Sequence, residues 1–461
     1  MGSQKKLNFR TLVNRPVEEV LAWHLRPRML ERAIPPWENI EMLPSDARPD
    51  REGSIFRVKY KFLNFFSKKV TFEYTDYVPG ESFKVVGKQG KFIRFVYKNR
   101  ITFQSNYTCE LTDQVELSYR FPKFFLYFID QFISKRISRL LTYKQEMIHN
   151  DLALLEKYPF EKPLKILVSG SHGLIGKNLF YFLEFAGHDV WHLSRSKKQQ
   201  EKNSIIWNPQ SGKANESQFE GFDVVINLAG ENLGKGRWTK DKKERILLSR
   251  SKGTEHLVGL LKKLKHPPHT FINASAVGYY GNRGNDVVNE KSDPGKGLFI
   301  SEVCQHWERP SKELEEVGIR VIRARFGIVL SAGGGVLKQI RRPFEYSLGG
   351  QLGSGRQYMS WISIDDVVGA LYHVMMTTKV QGPVNLVSPH PIPNHIFCKK
   401  LAQRLSRCLG PSLPEFMVRF MMGQKGDELL LTSTRVEPSC LIESGYTFQY
   451  PKLSQTLEHI I

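Results

Sequence analysis

At 461 residues the chain is too long for one ordinary domain, and its 41% hydrophobic content is enough for more than one packed core. The net charge of +21 runs through both halves instead of gathering in one arm, and no nucleic-acid motif accompanies it, so it reads as a solvated basic surface that draws in anionic ligands. Five cysteines with no CxxC pair argue against a disulfide framework and a zinc ribbon, leave no metal centre in prospect, and suit a reducing compartment.

The opening residues, MGSQKKLNFRTLVNRP, carry no apolar signal core, and the expected location is the cytoplasm. Residues 7–13 read as a strand, and Pro16-Val17-Glu18-Glu19-Val20 starts a helix, with proline where its missing N–H does no harm. Alternating runs follow. Phe56, Val58, Tyr60 and Phe62 share one face while Arg57, Lys59 and Lys61 share the other; Val70, Phe72 and Tyr74 repeat the period, as do Ile101 to Leu111 and then Val115, Leu117 and Tyr119. This is the pattern of an antiparallel sheet with one wet side. Gly87 to Gly90 and Asp113 are expected to mark turns. A long helix is expected over residues 123–157, with an apolar face that includes Phe125, Phe128, Ile129, Phe132, Ile133, Ile137, Leu141 and Leu154. Residues 121–133 are the most apolar stretch, but they are short and carry Lys123 and Asp130, so no membrane span is expected. The element order and the phrase Arg15-Pro16-Val17-Glu18-Glu19-Val20 resemble the α+β helix-grip fold of START-like, or polyketide-cyclase-like, domains. That resemblance implies an apolar ligand between sheet and helix; a filled core is the alternative. No catalytic constellation occurs in this third.

Tyr158-Pro159-Phe160-Glu161-Lys162-Pro163 is a proline-bearing joint, which divides the chain into residues 1–160 and 164–461. Beyond it, Ile166-Leu167-Val168 is a short apolar strand. Gly170-Ser171-His172-Gly173-Leu174-Ile175-Gly176 follows at once, then a helical pattern that stops at Gly187 and a second strand ending in Ser194-Arg195. Strand, glycine turn, helix and strand make the first half of a dinucleotide fold. Gly170 allows a sharp bend, Gly173 clears space for a pyrophosphate, and Gly176 allows close packing of the helix, whose free N–H groups face the phosphates. A carboxylate after the second strand would accept the ribose hydroxyls of NAD. Here Arg195, followed by Lys197 and Lys198, offers a guanidinium to a 2′-phosphate instead, which favours NADP.

Residues 205–208 read as a further strand, and residues 223–230 as a buried one ending in Leu228-Ala229-Gly230, small side chains that leave room for the cofactor. A helix is expected over residues 239–264 and strands over residues 270–276, 320–330 and 383–387; Trp361-Ile362-Ser363-Ile364-Asp365-Asp366-Val367 leads into another helix. This alternation predicts a doubly wound parallel α/β sheet of Rossmann type. The GxxGxxG spacing, residues 225–232, Arg237-Trp238, Ser249-Arg250, Ser275-Ala276-Val277-Gly278-Tyr279-Tyr280-Gly281, Gly353-Ser354-Gly355-Arg356-Gln357 and Trp361-Ile362 resemble the atypical extended short-chain dehydrogenases/reductases of the epimerase family, sugar-nucleotide-epimerase-like. The likeness covers nearly all of residues 164–461, including a C-terminal family segment over residues 411–461. It implies NADP held by the glycine turn, Ser194, Arg195, Leu228, Ala229, Gly230 and Arg250, a structural ion pair being the alternative for Arg250.

Active members of that superfamily use a serine and a Tyr-x-x-x-Lys pair on one helix face, where the lysine tunes the tyrosine. Ser275 stands in the serine's place, but Phe299 and Val303 occupy the other two positions, and neither moves a proton. Tyr279 is the candidate substitute; Tyr280, Glu302 and His306 are weaker ones. Two functions follow. One is an NADP-dependent oxidoreductase or epimerase-like enzyme acting on a small-molecule substrate, with Ser275 orienting an oxygen and Tyr279 as acid/base. The other is a non-catalytic NADP(H)-binding sensor or ligand carrier.

Overall fold

The computed structural model describes residues 3–38, 40–43, 45, 47–62, 66–89, 93–119, 123–195 and 203–461. Gly90, Lys197 and Lys198 lie outside the described residues, as do residues 121–122 and the side chains of Phe62, Tyr119, Phe125, Phe128 and Ile129. The chain forms two compact units, Met1–Pro159 with Phe185–Gly187, and Phe160–Glu184 with His188–Ile461.

The N-terminal unit is built on a seven-stranded sheet. Its strands are β1 (Ser3–Val13), β2 (Ile40–Met42), β3 (Ile55–Phe62), β4 (Phe66–Val78), β5 (Ser82–Gln89), β6 (Ile93–Ser105) and β7 (Thr108–Tyr119), in the order β1-β7-β6-β5-β4-β3-β2. Every pairing is antiparallel. Helices α1 (Val17–Leu25) and α2 (Met29–Ala33) connect the first two strands, and the 35-residue α3 (Lys123–Lys157) ends the unit. Phe56, Val58, Val70, Tyr74, Phe83 and Val85 form one buried cluster of the inner face, and Val115, Leu117 and Leu141 another.

Three expectations are corrected here. Gly87 lies inside β5, where a Cβ would stand 2.6 Å from Cε1 of Phe72; the glycine makes room for a ring and turns nothing. Asp113 lies in the middle of β7, fully buried, and the β6–β7 hairpin reverses at residues 106–107. Phe132 is 66% exposed and leaves the apolar face of α3 to Ile133, Ile137 and Leu141.

The C-terminal unit carries β8 (Lys165–Ser169), α4 (Leu174–Ala186), β9 (Asp189–Ser194), β10 (Ser204–Ile206), β11 (Val224–Asn227), α5 (Lys240–Leu261) and β12 (Thr270–Ala276). There follow β13 (Val287–Val288), α6 (Phe299–Glu308), α7 (Lys312–Glu315), β14 (Arg320–Phe326), β15 (Ile328–Leu330), α8 (Gly335–Glu345), β16 (Tyr358–Met359), β17 (Trp361–Ser363), α9 (Ile364–Met376) and β18 (Gly382–Leu386). The main sheet has the order β10-β9-β8-β11-β12-β14-β18 with all pairings parallel. The chain winds outwards from β8 in both directions, so the order reverses between β8 and β11. In open α/β sheets that switch point opens a crevice at the carboxyl ends of the strands. Ile166, Leu167, Val168, Val224, Val225 and Ile226 are wholly buried, as strands covered on both faces require.

The expected strand over residues 320–330 is split at Gly327, where a Cβ would meet the Ser360 carbonyl oxygen at 2.7 Å; β15 leaves the main sheet and pairs with β17. The C-terminal segment is pinned to α9 by Asp366, which accepts from Tyr446 Oη at 3.1 Å and from the amides of Gln449 and Tyr450 at 2.7 and 3.0 Å. No helix among the described residues is long and apolar enough to cross a membrane.

Candidate functional site

The glycine turn leaves β8 at the switch point. Gly170 has φ +76°, and a Cβ there would lie 2.8–2.9 Å from the backbone of Leu228 and Ala229. Only glycine fits on both counts. A Cβ at Gly176 would lie 2.2 Å from the Gly170 carbonyl oxygen, so this glycine packs the first turn of α4 onto the loop itself. At Gly173 the nearest atom is the Gly170 carbonyl oxygen at 3.2 Å, and His172 and Gly173 are exposed. Gly173 is therefore the glycine whose missing side chain opens space outwards. The turn is braced from β9: Ser171 Oγ and His192 Nδ1 are 2.7 Å apart, and the His192 ring stacks on Phe180 at 3.8 Å. The sequence reading missed His192, whose place one register step before Leu193 carried no motif.

The other cofactor candidates gather around this lip. Ser194 ends β9 buried, and Arg195 follows it exposed. Leu228, Ala229 and Gly230 lie just past β11, which is shorter than the strand expected over residues 223–230. Gly230 touches Arg250, since a Cβ there would lie 3.0 Å from Cζ of the guanidinium. Arg250 is 6% exposed; it stacks on Trp307 at 4.6 Å, donates to the Ile246 carbonyl at 3.2 Å, and leaves Nε without a partner. Among the described residues no carboxylate pairs with it, so the structural ion pair is not formed. Burial lowers its pKa to about 10. A buried cation with an unmet donor suits an incoming acceptor. Nearby, Glu231 is bonded to Lys242, and that bond, with the further charges of Arg245 and Arg195, holds its carboxyl below the ordinary value.

Residues 166–386 match the NAD dependent epimerase/dehydratase family, and residues 413–460 match a domain of unknown function, DUF1731. An epimerase family protein of Mycobacterium leprae is 37% identical over 294 residues, 64% of this chain and 94% of that protein. The chain belongs to the epimerase family. A Bacillus subtilis member is 33% identical over 300 residues, 65% of this chain and 98% of its own length. Among solved structures, the nucleoside-diphosphate sugar epimerase from Corynebacterium glutamicum superimposes with a TM-score of 0.80 at 27% identity, covering 98% of this chain and 90% of that one. A human epimerase family protein in complex with NADPH superimposes with a TM-score of 0.58 at 30% identity, covering 64% of this chain and 98% of that one.

In this family member the catalytic candidates sit in a buried polar network. Ser275, 1% exposed near the end of β12, donates through Oγ to Glu308 Oε1 at 2.7 Å. Arg325 of β14 holds both oxygens of Glu308, through Nε and Nη2, each at 2.8 Å. It also donates through Nη1 to Tyr280 Oη at 2.8 Å, and Tyr280 donates to Asn385 Oδ1 at 2.7 Å. Burial pushes the Tyr280 phenol up to about 12. The Arg325 guanidinium lies 3.5 Å from the centre of the Tyr279 ring. Phe299 opens α6 and packs edge-on against Trp238 at 5.3 Å, while Val303 is buried. Glu302 and His306 face solvent. The sequence reading missed Glu308, Arg325 and Glu428; the last accepts from the amides of Phe299 and Ile300 at 3.2 and 2.8 Å and caps α6 from the C-terminal segment. No spacing in the sequence joins residues so far apart.

Proposed function

We propose that residues 164–461 bind NADP(H) and act as an NADP-dependent oxidoreductase or nucleotide-sugar-epimerase-like enzyme of the cytoplasm, and that residues 1–160 form a START-like helix-grip domain for an apolar ligand. The observation that carries the cofactor reading is Arg195, a guanidinium immediately beyond β9 where a carboxylate would repel a 2′-phosphate. The amides from Gly170 to Gly176 would take the pyrophosphate, Ser194 and Arg195 the 2′-phosphate, and Leu228 to Gly230 would border the adenosine half. Arg250 would present its unmet donor to an acceptor of the cofactor. A relative 30% identical over most of this unit was solved with NADPH. The seven antiparallel strands followed by one long helix support the helix-grip reading.

A bound nicotinamide supplies or accepts a hydride. Tyr279 would hold or release the matching proton, a reading supported by the Arg325 guanidinium against its ring. Ser275 has its proton engaged by Glu308, so it acts as a positioning residue through Glu308 and Arg325 rather than on substrate. The same engagement, together with the inert Phe299 and Val303, favours the second reading, a non-catalytic NADP(H) sensor or ligand carrier.

Fluorescence titration with NADPH and NADH tests the cofactor reading. NADPH binds more tightly, and Arg195→Glu weakens NADPH about tenfold or more, the worth of a charge-assisted bond of roughly 1.5–3 kcal/mol, while sparing NADH. Equal affinity for both nucleotides overturns the NADP assignment, and no binding of either overturns both functions. Turnover of a carbonyl or nucleotide-sugar substrate that disappears in Tyr279→Phe while NADPH binding persists selects the enzyme.

A further inference from the structure

We infer that the helix Glu415–Met422 seats the C-terminal unit on an anionic lipid surface, through an outward face made by Phe416, Met417, Phe420 and Met421.

A surface helix ordinarily sets polar side chains opposite its buried stripe. This one does the reverse. Val418 is its buried residue and packs beside Gly426, where a Cβ would stand 3.0 Å from Val418 Cγ1. Phe416 and Phe420 lie two residues to either side of Val418, which at about 3.6 residues per turn puts both on the far side of the helix. They are 71% and 82% exposed, and the exposed Met417 and Met421 widen the row. Phenyl rings left open on adjacent turns are unfavourable in water.

The end of the helix is equipped for a medium without water. Its last carbonyls have no partner within the helix, and against lipid each must be met by another group. Arg237 donates through Nη2 to the carbonyl oxygens of Phe420 and Met421, at 2.9 and 3.1 Å, and the Gly423 amide donates to the Arg419 carbonyl at 2.8 Å. The buried Lys425 holds the carbonyls of Gly234 and Gly236 at 3.2 and 2.7 Å, which fixes the turn carrying the exposed Lys235 and Arg237 beside the helix. Of the acids here, Glu415 and Asp427 are paired with Arg419, at 3.6 and 3.0 Å, and Glu428 turns inwards to cap α6. Lys235 and Arg237 have no ion-pair partner among the described residues, so the rim of the apolar face is positive.

Charge and area select lipid over a second copy of the chain. The four side chains leave on the order of 500 Å² open, at about 200 Å² for a wholly open ring or thioether chain, whereas a stable dimer takes about 800 Å² from each partner. The net charge of +21 sets two copies against each other and draws the chain to a negative surface. Anchors for a protein partner belong to well-packed patches, whereas Phe420 projects from its helix almost wholly open. A bilayer needs no matching groove; it takes protruding rings at acyl depth and cations at headgroup level.

The test is flotation of the full chain with vesicles of phosphatidylcholine alone and with vesicles in which about a third of the lipid is phosphatidylglycerol, at about 0.1 M salt. The chain is expected to bind the mixed vesicles about tenfold or more tightly than the neutral ones, the effect of a few cations near the surface. Phe416→Ser combined with Phe420→Ser is expected to weaken that binding about tenfold or more. Its thermal midpoint should stay at the wild-type value, because both rings face solvent. Failure of the wild type to float with the mixed vesicles overturns the inference, as does a double variant that floats as well as wild type. Equal binding to both vesicle types overturns the anionic preference. A dimer in sedimentation velocity that the double variant abolishes, with no vesicle binding, gives the face to a second copy and overturns the lipid assignment.

Discussion

Three glycines of one motif do three different jobs, and they separate under substitution. At Gly176 an added Cβ meets backbone at 2.2 and 2.8 Å, and backbone does not yield as a flexible side chain does. Gly176→Ala is therefore expected to destabilise the chain by about 1–3 kcal/mol, through overpacking at the start of α4. At Gly173 the only close atom among the described residues stands at 3.2 Å, so Gly173→Ala is expected to unfold close to wild type but to lose NADPH affinity, because the methyl projects from the open lip. Denaturation midpoints and NADPH titration of the two variants check this; a Gly176→Ala midpoint matching wild type would refute the packing role. The motif was legible because strand, turn and helix fix its backbone locally. Gly87 and Asp113 were misread for the same reason in reverse. Turn-forming residue types also serve as a hole for a ring and as a buried charge, and only contacts with distant strands separate those uses.

Elements were legible where their periodicity is local: β8, α4, β9, β11, α5 and β12 lie within a few residues of their expected bounds. What the sequence does not carry is which polar residue an element turns inwards. On α1 the inward residues include Trp23 and His24. His24 ordinarily titrates near 6.5, but burial, then the Lys144 charge, lowers it to about 3. Between those values the unfolded chain holds a proton that the folded chain refuses. The contribution of His24 is therefore fully present above pH 6.5 and declines as pH falls towards 3. A loss on the order of 1–2 kcal/mol is expected between pH 6.5 and pH 5 from this group alone, at about 1.4 kcal/mol per pH unit. Urea denaturation at the two pH values should show a smaller acid loss in His24→Gln than in wild type; an equal loss would mean that the ring is protonated in the folded state.

At the scale of the whole chain, topology decided what could be foreseen. A parallel sheet whose order reverses at β8 directs attention to its carboxyl edge, where the glycine turn, Arg195 and Leu228 to Gly230 were expected, whereas Arg250 was named only through the family resemblance. The network behind the edge joins β12, α6, β14 and β18, elements that meet only once the sheet is wound. Glu308 and Arg325 are both nearly sealed from solvent, with side-chain exposures of 6% and 4%. Their pairing offsets a desolvation cost that neither charge bears well alone. Removing one partner leaves an uncompensated buried charge, so Glu308→Leu and Arg325→Leu should each cost about 3–5 kcal/mol. The double variant should cost less than the sum, and close to the smaller single value, because both charges leave together. Such coupling, measured by a double-mutant cycle in denaturant, is what a mutually compensating pair requires. Additive losses would show instead that each side chain is held by Ser275 and Tyr280 independently, and the positioning role given to the pair would have to be abandoned.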